Sequence, residues 1–310
     1  MNTIHIVCSS DDGYVSHCGA LIASIFENNK TNTVCIHVLT EYISNHNKSL
    51  LLTLSEKYGQ NIEIVNIQQG AFDDFPMDEK NIGYINKSTY YRLLIPSLFP
   101  QLNKVIYLDC DIIVNSDLLP LWNINIEMYA IAGVKDIISN QLSGPRRLGY
   151  DSKDSYFNAG VGVWNIVYLR EHNFDKLTMD FMLENRDNII FHDQDIINGI
   201  LHGHFFELSI QWNLMTAFLY GENYNRLNKY KEEMKNPKII HFADVFKPWF
   251  KECYNPYKFE YDKYLKMTPW YYESKTNKLN KRERILFYTK FCIKQLLGYL
   301  GMKKYSFFKH

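Results

Sequence analysis

No charge of one sign dominates this 310-residue chain: 34 lysines and arginines stand against 34 aspartates and glutamates. That balance removes the global field that a nucleic-acid partner would need. Six cysteines, Cys8, Cys18, Cys35, Cys110, Cys253 and Cys292, make no C-x-x-C pair and no regular spacing. Neither a zinc knuckle nor a disulfide framework is indicated, and a reducing cytoplasmic setting fits. There is no window of about 18 uncharged apolar residues to span a bilayer. The chain opens directly on a strand-like run with no basic region before a long apolar core, so no signal peptide is expected. The N-terminal loop has neither G-x-G-x-x-G nor G-K-[ST], which removes the common dinucleotide and phosphate loops. Internal repeats and low-complexity stretches are also missing, and the length suits one large α/β domain or two small ones.

What is present is a stretch, Lys104–Asp117, that drives an apolar run into two carboxylates one residue apart. Val105, Ile106, Tyr107 and Leu108 suit a strand buried on both faces. Asp109 and Asp111 follow at its carboxyl end, and with a period of two both side chains can leave one face and converge. Two ionised carboxylates so close repel unless a proton or a metal lies between them. Open α/β sheets bind ligands outside the carboxyl ends of their strands. A bare D-x-D is more often a turn cap beside a solvent-facing acid; here the apolar runs on both sides and the closing Asn115-Ser116-Asp117 raise its standing. Two chemistries share this spacing: a nucleotide-sugar transferase, in which the pair holds a divalent metal, and a phosphohydrolase, in which the first aspartate is a nucleophile.

Residues 3–8 read as a buried strand, Ser9–Tyr14 as a binding loop and Val15–Asn28 as a helix. Asp11 in that loop either accepts from a ligand N–H or hydroxyl, or, like Asp12, caps the helix. Val34–Leu39 is a second strand, Ser44–Tyr58 a helix and Ile62–Ile67 a third strand, the alternation of parallel βαβ units. Lys87–Ile95 looks helical and stopped by Pro96, with Arg92 placed to grip a phosphate or a carboxylate. Tyr129–Val134 is strand-like and ends in Lys135-Asp136; residues 137–155 form a long loop of the kind found at functional sites. Tyr156–Trp164, with Gly160 and Gly162, reads as backbone that something approaches closely, or as a glycine-marked bulge. Tyr168–Asn185 is helical. His192-Asp193-Gln194-Asp195 heads the apolar Ile196–Leu201, and Lys238–Phe242 is a last buried strand ending near His241, six residues before Lys247. His192, His202 and His204 show no zinc-ligand spacing.

Taken in order, these segments resemble glycosyltransferase family 8, the family of bacterial lipopolysaccharide galactosyl- and glucosyltransferases and of glycogenin. The motifs are Ser9-Ser10-Asp11-Asp12-x-Tyr14, Ser88-Thr89-Tyr90-x-Arg92, Tyr107-Leu108-Asp109-x-Asp111, Phe157-Asn158-Ala159-Gly160, Asp193-Gln194-Asp195 and His241-x(5)-Lys247-Pro248-Trp249. The resemblance implies a GT-A fold, Rossmann-like with a mixed central sheet, over residues 1–250, and a retaining, metal-dependent transfer of a hexose from a UDP-sugar to a glycan or glycolipid acceptor. It implies Asp109, Asp111 and His241 as ligands of Mn²⁺, with Mg²⁺ as second candidate. Ser9, Asp11 and Tyr14 would hold uracil, Lys247 would meet the diphosphate, and Cys110 would belong to the donor loop. Arg92, Asn158, Ala159, Asp193 and Gln194 would surround the donor sugar, and Asp136 would face donor or acceptor. Gln194, Asp193 and Asp195 are the candidates for chemistry at the anomeric carbon; an amide is a poor nucleophile, and same-face attack needs none. Gly13 and Asp244 depart from the family's common residues, and Asp244 would add negative charge near the diphosphate. A non-catalytic sugar-nucleotide or glycan-binding protein and a D-x-D phosphohydrolase are the alternative readings.

The balanced charge hides a split. Lys275–His310 holds ten basic residues and one acidic, a net of +9, and Met1–Ser274 carries −9. On a helical projection Ile285, Tyr288, Cys292, Leu296 and Tyr299 share a face edged by Lys290 and Lys294. The expectation for residues 251–310 is a basic, amphipathic helical tail that docks peripherally on an anionic membrane surface, unless its apolar face packs on the catalytic domain.

Overall fold

The computed structural model describes residues 3–76, 87–137, 143–151, 153–220 and 227–273, together with scattered positions between 282 and 293. A central sheet is built from β1 (Ile4–Ser9), β2 (Val34–Thr40), β3 (Asn61–Asn66), β4 (Lys104–Leu108), β6 (Ile131–Lys135), β7 (Phe157–Asn165) and β8 (Phe205–Glu207), in the order β3-β2-β1-β4-β7-β6-β8. The first four neighbours are parallel; β7 is antiparallel to β4 and to β6. The sheet is therefore mixed, as expected. A second, three-stranded sheet contains β5 (Ile112–Val114), β9 (Leu214–Met215) and β10 (Ile239–His241), with β10 in the middle.

Strand alternation sorts the core. Ile4, Ile6 and Cys8 of β1 face α1 (Val15–Asn28) and α2 (Asn45–Tyr58), while Val7 points to the other face with Leu39, Tyr107 and Trp164. Helix α1 is apolar nearly all round because it is buried between the two sheets: Leu21, Ile22 and Ile25 meet the large sheet, and Ala20 meets Ile113 and Ile240 of the small one. An all-round apolar helix needs such a place. Helix α2 starts where the Ser44 side chain accepts from Asn47 N at 3.3 Å and stops at Gly59, φ 62. Loss of such an N-cap costs about 1 kcal/mol.

Elsewhere the chain departs from its sequence pattern. Lys87–Leu94 is a 3₁₀ segment, and Pro96 opens the helical turn Ile95–Leu98 instead of closing one. A proline in a first turn sacrifices no intrahelical N–H bond. The helix expected over Tyr168–Asn185 is two, α3 (Ile166–Glu171) and α4 (Phe174–Asn185), broken at Asn173, whose φ of 54 is a left-handed conformation that asparagine tolerates. The loop 137–155 contains the turn Gly144–Arg147. Helix α5 (His192–Leu201) begins at His192 itself, with φ 47. Residues 251–273, expected with the tail, pack into the same body: Tyr261, Tyr264 and Leu265 of α6 (Lys258–Leu265) are buried against Ile113, Ile240 and Phe242, and Trp270 lies in the main core. Of the amphipathic face, Tyr288, Cys292, Leu296 and Tyr299 lie outside the described residues; Ile285, Leu286 and Ile293 are exposed. Among the described residues no helix is long and apolar enough to cross a membrane.

Candidate functional site

The carboxylate pair sits where the chain passes from one sheet to the other. Asp109 extends β4 by one rung, its N–H donating to Gly160 O at 2.9 Å. Asp111 immediately precedes β5, and its carbonyl accepts from Phe242 N at 3.0 Å, which sets His241 beside it. Ligand atoms of Asp109, Asp111 and His241 consequently lie within 4.8 Å of one another. His241 Nε2 is 3.3 Å from Asp111 Oδ1 and 3.8 Å from Asp109 Oδ2. The other ring nitrogen, Nδ1, meets Asn213 Oδ1 at 2.9 Å. Because that amide oxygen can only accept, Nδ1 carries the proton and Nε2 turns a lone pair toward the carboxylates. Gly160 makes room: a Cβ there would overlap His241 Cε1 and stand 2.5 Å from Asp109 Oδ2. Two carboxylates, an imidazole of fixed tautomer and a cradle that a methyl group would fill suit a divalent cation of the Mn²⁺ or Mg²⁺ kind.

A cleft of about 420 Å³ opens over this group. Burial pushes the Asp111 carboxyl up, but the Lys247 ammonium, 2.5 Å from Oδ2, outweighs it and holds the group well below the usual carboxylate range. The loop that carries Lys247 is pinned to α1 by aromatic stacking: Trp249 lies flat on His17 at 3.5 Å and edge-on to Tyr14 at 5.4 Å. His17 is kept neutral by burial, its pKa lowered to about 3, and contacts Tyr261 Oη at 2.6 Å. Asp244 does not line the cleft; its carboxylate accepts from Tyr254 Oη. The charge it adds is thus engaged on the far side of the loop.

Arg92 is buried at the cleft floor. Nη2 donates to Asp109 Oδ1 at 2.7 Å, Nη1 to Ala159 O at 2.7 Å, and Nε lies 2.9 Å from Asp193 Oδ2. Burial disfavours its charge, yet the two carboxylates more than compensate and raise its pKa. Asp193 also accepts from Thr89 Oγ1 at 2.6 Å; burial raises its carboxyl pKa against the pull of Arg92. Gln194 is oriented on both sides. Its Oε1 accepts from Asn158 Nδ2 and Ala159 N, both at 3.0 Å, and its Nε2 donates to Asp136 Oδ2 at 3.0 Å. Ser9, Tyr14, Cys110, Asp136, Asn158 and Ala159 also line the cleft, with the Cys110 thiol directed at Ser9 O, 3.1 Å away.

Two expected residues are not brought there. Asp11 is absent from the lining and caps the turn, its Oδ1 accepting from Tyr14 N at 2.7 Å. Asp195 is fully buried and absent from the lining to which Asp193 and Gln194 belong. It takes a two-pronged pairing from Arg147, at 2.8 and 2.9 Å, a bond from Tyr156 Oη at 2.6 Å, and the N–H groups of Ile190 and Phe191, both at 2.7 Å. Its geometry is that of a structural anchor. Conversely, Thr89, Phe191, His192, Asn213 and Met215 went unassigned in the sequence. Of these only Thr89 lay in a recognised motif; Asn213 touches His241 across 28 residues of chain and leaves no local signal.

Residues 5–253 match the family model described as Glycosyl transferase family 8. General stress protein A of Bacillus subtilis (strain 168) is 29% identical over 276 residues, covering 86% of this chain and 94% of that protein. A lipopolysaccharide 1,2-glucosyltransferase of Escherichia coli is 30% identical over 256 residues, covering 80% of this chain and 73% of that protein. The galactosyltransferase LgtC, crystallised with donor and acceptor sugar analogues, superposes with a TM-score of 0.76 at 23% identity, over 91% of this chain and 99% of that chain. The mixed α/β fold is thus of the GT-A type.

Proposed function

This chain belongs to glycosyl transferase family 8, and from that premise we propose that it moves glucose or galactose from a UDP-sugar to a glycan or glycolipid acceptor, with retention of configuration. The observation that carries this reading is the Asp109, Asp111 and His241 group, with Nε2 freed for a cation by Asn213. A Mn²⁺ or Mg²⁺ ion held there would act as a Lewis acid toward the departing diphosphate. Lys247 moves from Asp111 to a phosphate oxygen and neutralises charge on the leaving group. Tyr14, with Ser9 and the Asp11 turn behind it, borders the uracil end. Arg92 fixes Asp109 and Asp193 in place, and Asn158, Gln194 and Asp136 form one hydrogen-bonded row beside the sugar. Gln194 Oε1 is already an acceptor for two N–H groups, and Asp193 is tied to Arg92 and Thr89. Neither arrangement favours a free nucleophile. That supports same-face attack, in which a phosphate oxygen of the leaving UDP takes the acceptor's proton.

A donor screen read by mass spectrometry tests the reading: one UDP-hexose should be hydrolysed slowly without acceptor and consumed faster with a glycan, and chelation by EDTA should stop both. Equal turnover in EDTA removes the metal assignment, and no turnover of any sugar nucleotide removes the enzyme.

The glycolipid acceptor draws support from the lipopolysaccharide glucosyltransferase relative and from the +9 charge of Lys275–His310. Each basic group near an anionic surface contributes about 1 kcal/mol. Full-length protein should therefore co-sediment with anionic vesicles at low salt, and protein truncated after Ser274 should not. Equal binding by the two, or none by either, ends the membrane proposal.

A further inference from the structure

At the opposite end of the sheet from the cleft, the amino ends of β1, β2 and β3 bring a second set of ligand-type side chains together. His5 and Cys35 are register partners on β1 and β2, and His37 follows Cys35 on the same face by the period of two. The His5 and His37 nitrogens and the Cys35 sulfur all lie within 4.8 Å of one another. His5 Nδ1 faces His37 Nε2 at 3.0 Å, close to the separation of about 3.3 Å that two imidazoles on a tetrahedral ion require. The outer arrangement is also that of a metal centre. His37 Nδ1 is buried without a hydrogen bond and lies 3.0 Å from Glu63 Oε2, so that carboxylate stands within reach of orienting a ligating imidazole. Asn61 Nδ2 reaches Cys35 Sγ at 3.3 Å and Glu63 Oε1 at 2.8 Å, so one amide supports both the sulfur and the carboxylate. The Phe99 ring walls off His37 at 4.7 Å, and a second cavity bordered by His5 gives a route from solvent.

We propose that His5, Cys35 and His37 form a binding site for a zinc-like transition-metal ion, with Glu63 as the positioning residue for His37 and the fourth coordination position facing the cavity beside His5. The ligand chemistry excludes the cleft's own cation: one sulfur and two imidazoles favour a softer ion than a carboxylate pair does. Burial lowers the pKa of both histidines, which leaves the rings neutral with lone pairs to offer. Thiolate coordination displaces the Cys35 thiol proton, so metal uptake strengthens as pH rises. The bound ion would tie β1 to β2 at the end of the sheet that carries no known chemistry.

Co²⁺ titration of the reduced, chelator-stripped full-length protein tests this, because thiolate coordination gives a charge-transfer band in the near ultraviolet that oxygen ligands do not. The band is expected in the unaltered protein and in Asp111→Asn, and is expected to vanish in Cys35→Ser. Glu63→Gln should weaken Co²⁺ binding about 10- to 100-fold. No band at saturating Co²⁺ overturns the site and leaves His5 and His37 as a hydrogen-bonded pair. A band that survives in Cys35→Ser assigns the thiolate to another cysteine and also overturns it. Should Cys35→Ser fail to fold, His5→Asn, at a partly exposed ring, is expected to weaken Co²⁺ binding at least about 10-fold, and unchanged affinity overturns the site.

Discussion

Gly160→Ala is expected to reduce kcat/KM at least about 100-fold, the scale of a misplacement of about 1 Å among catalytic groups, while the protein still folds. The added methyl collides with the His241 ring and with the Asp109 carboxylate, and meets Asn158 Oδ1 at 3.1 Å. None of these can retreat freely. His241 is held by Asn213 behind it, Asp109 by Arg92 and by Tyr107 Oη at 3.1 Å. The three side chains must therefore spread, and the damage should approach that of Asp111→Ala, which removes one of the proposed ligands outright. Overpacking of this kind costs about 1–3 kcal/mol of stability, so thermal melting should shift by only a few degrees. Steady-state kinetics and a melting curve on the same preparation decide it; activity near that of the unaltered enzyme would show that the three ligands do not act together.

Asp195→Ala is expected to destabilise the fold by about 3–5 kcal/mol, the cost of stripping one member from a buried ion pair. The change leaves the Arg147 guanidinium without its carboxylate, and the N–H groups of Ile190 and Phe191, which lead into α5, without an acceptor. Urea denaturation measures this directly. If the variant is as stable as its parent yet inactive, Asp195 belongs to the chemistry after all, and the anchor role assigned to it is wrong.

The contrast between Asp193 and Asp195 shows how far the sequence could be read. Both stand in one tetrapeptide at a helix start, and both carry the residue type that glycosyl chemistry wants. One faces the cleft and the other the core, a distinction set by helix phase and by where Arg147 lies across 48 residues of chain. Elements whose reason is local were legible: β1, α1, β2 and α2 follow their apolar runs to within a residue or two. Asn173 was hidden because a left-handed asparagine leaves the apolar period intact on both sides. Pro96 misled because its position within a new turn, and not its presence, decides its effect. The core role of residues 251–273 depends on a surface of α1 and the small sheet that exists only once those have folded.

The passage of the chain between sheets at Asp109–Asp111 has a consequence for how the protein tolerates change. Asp109 is hydrogen-bonded into the large sheet and Asp111 into the small one, so the gap between the carboxylates reports how the two sheets are seated against each other. Ile113 and Ile240, which touch no ligand, hold that seating from within the small sheet. Variation at such interior positions reaches the carboxylate pair through its backbone, and an engineer who wishes to alter the spacing of the proposed ion ligands has a handle there that leaves every cleft side chain in place.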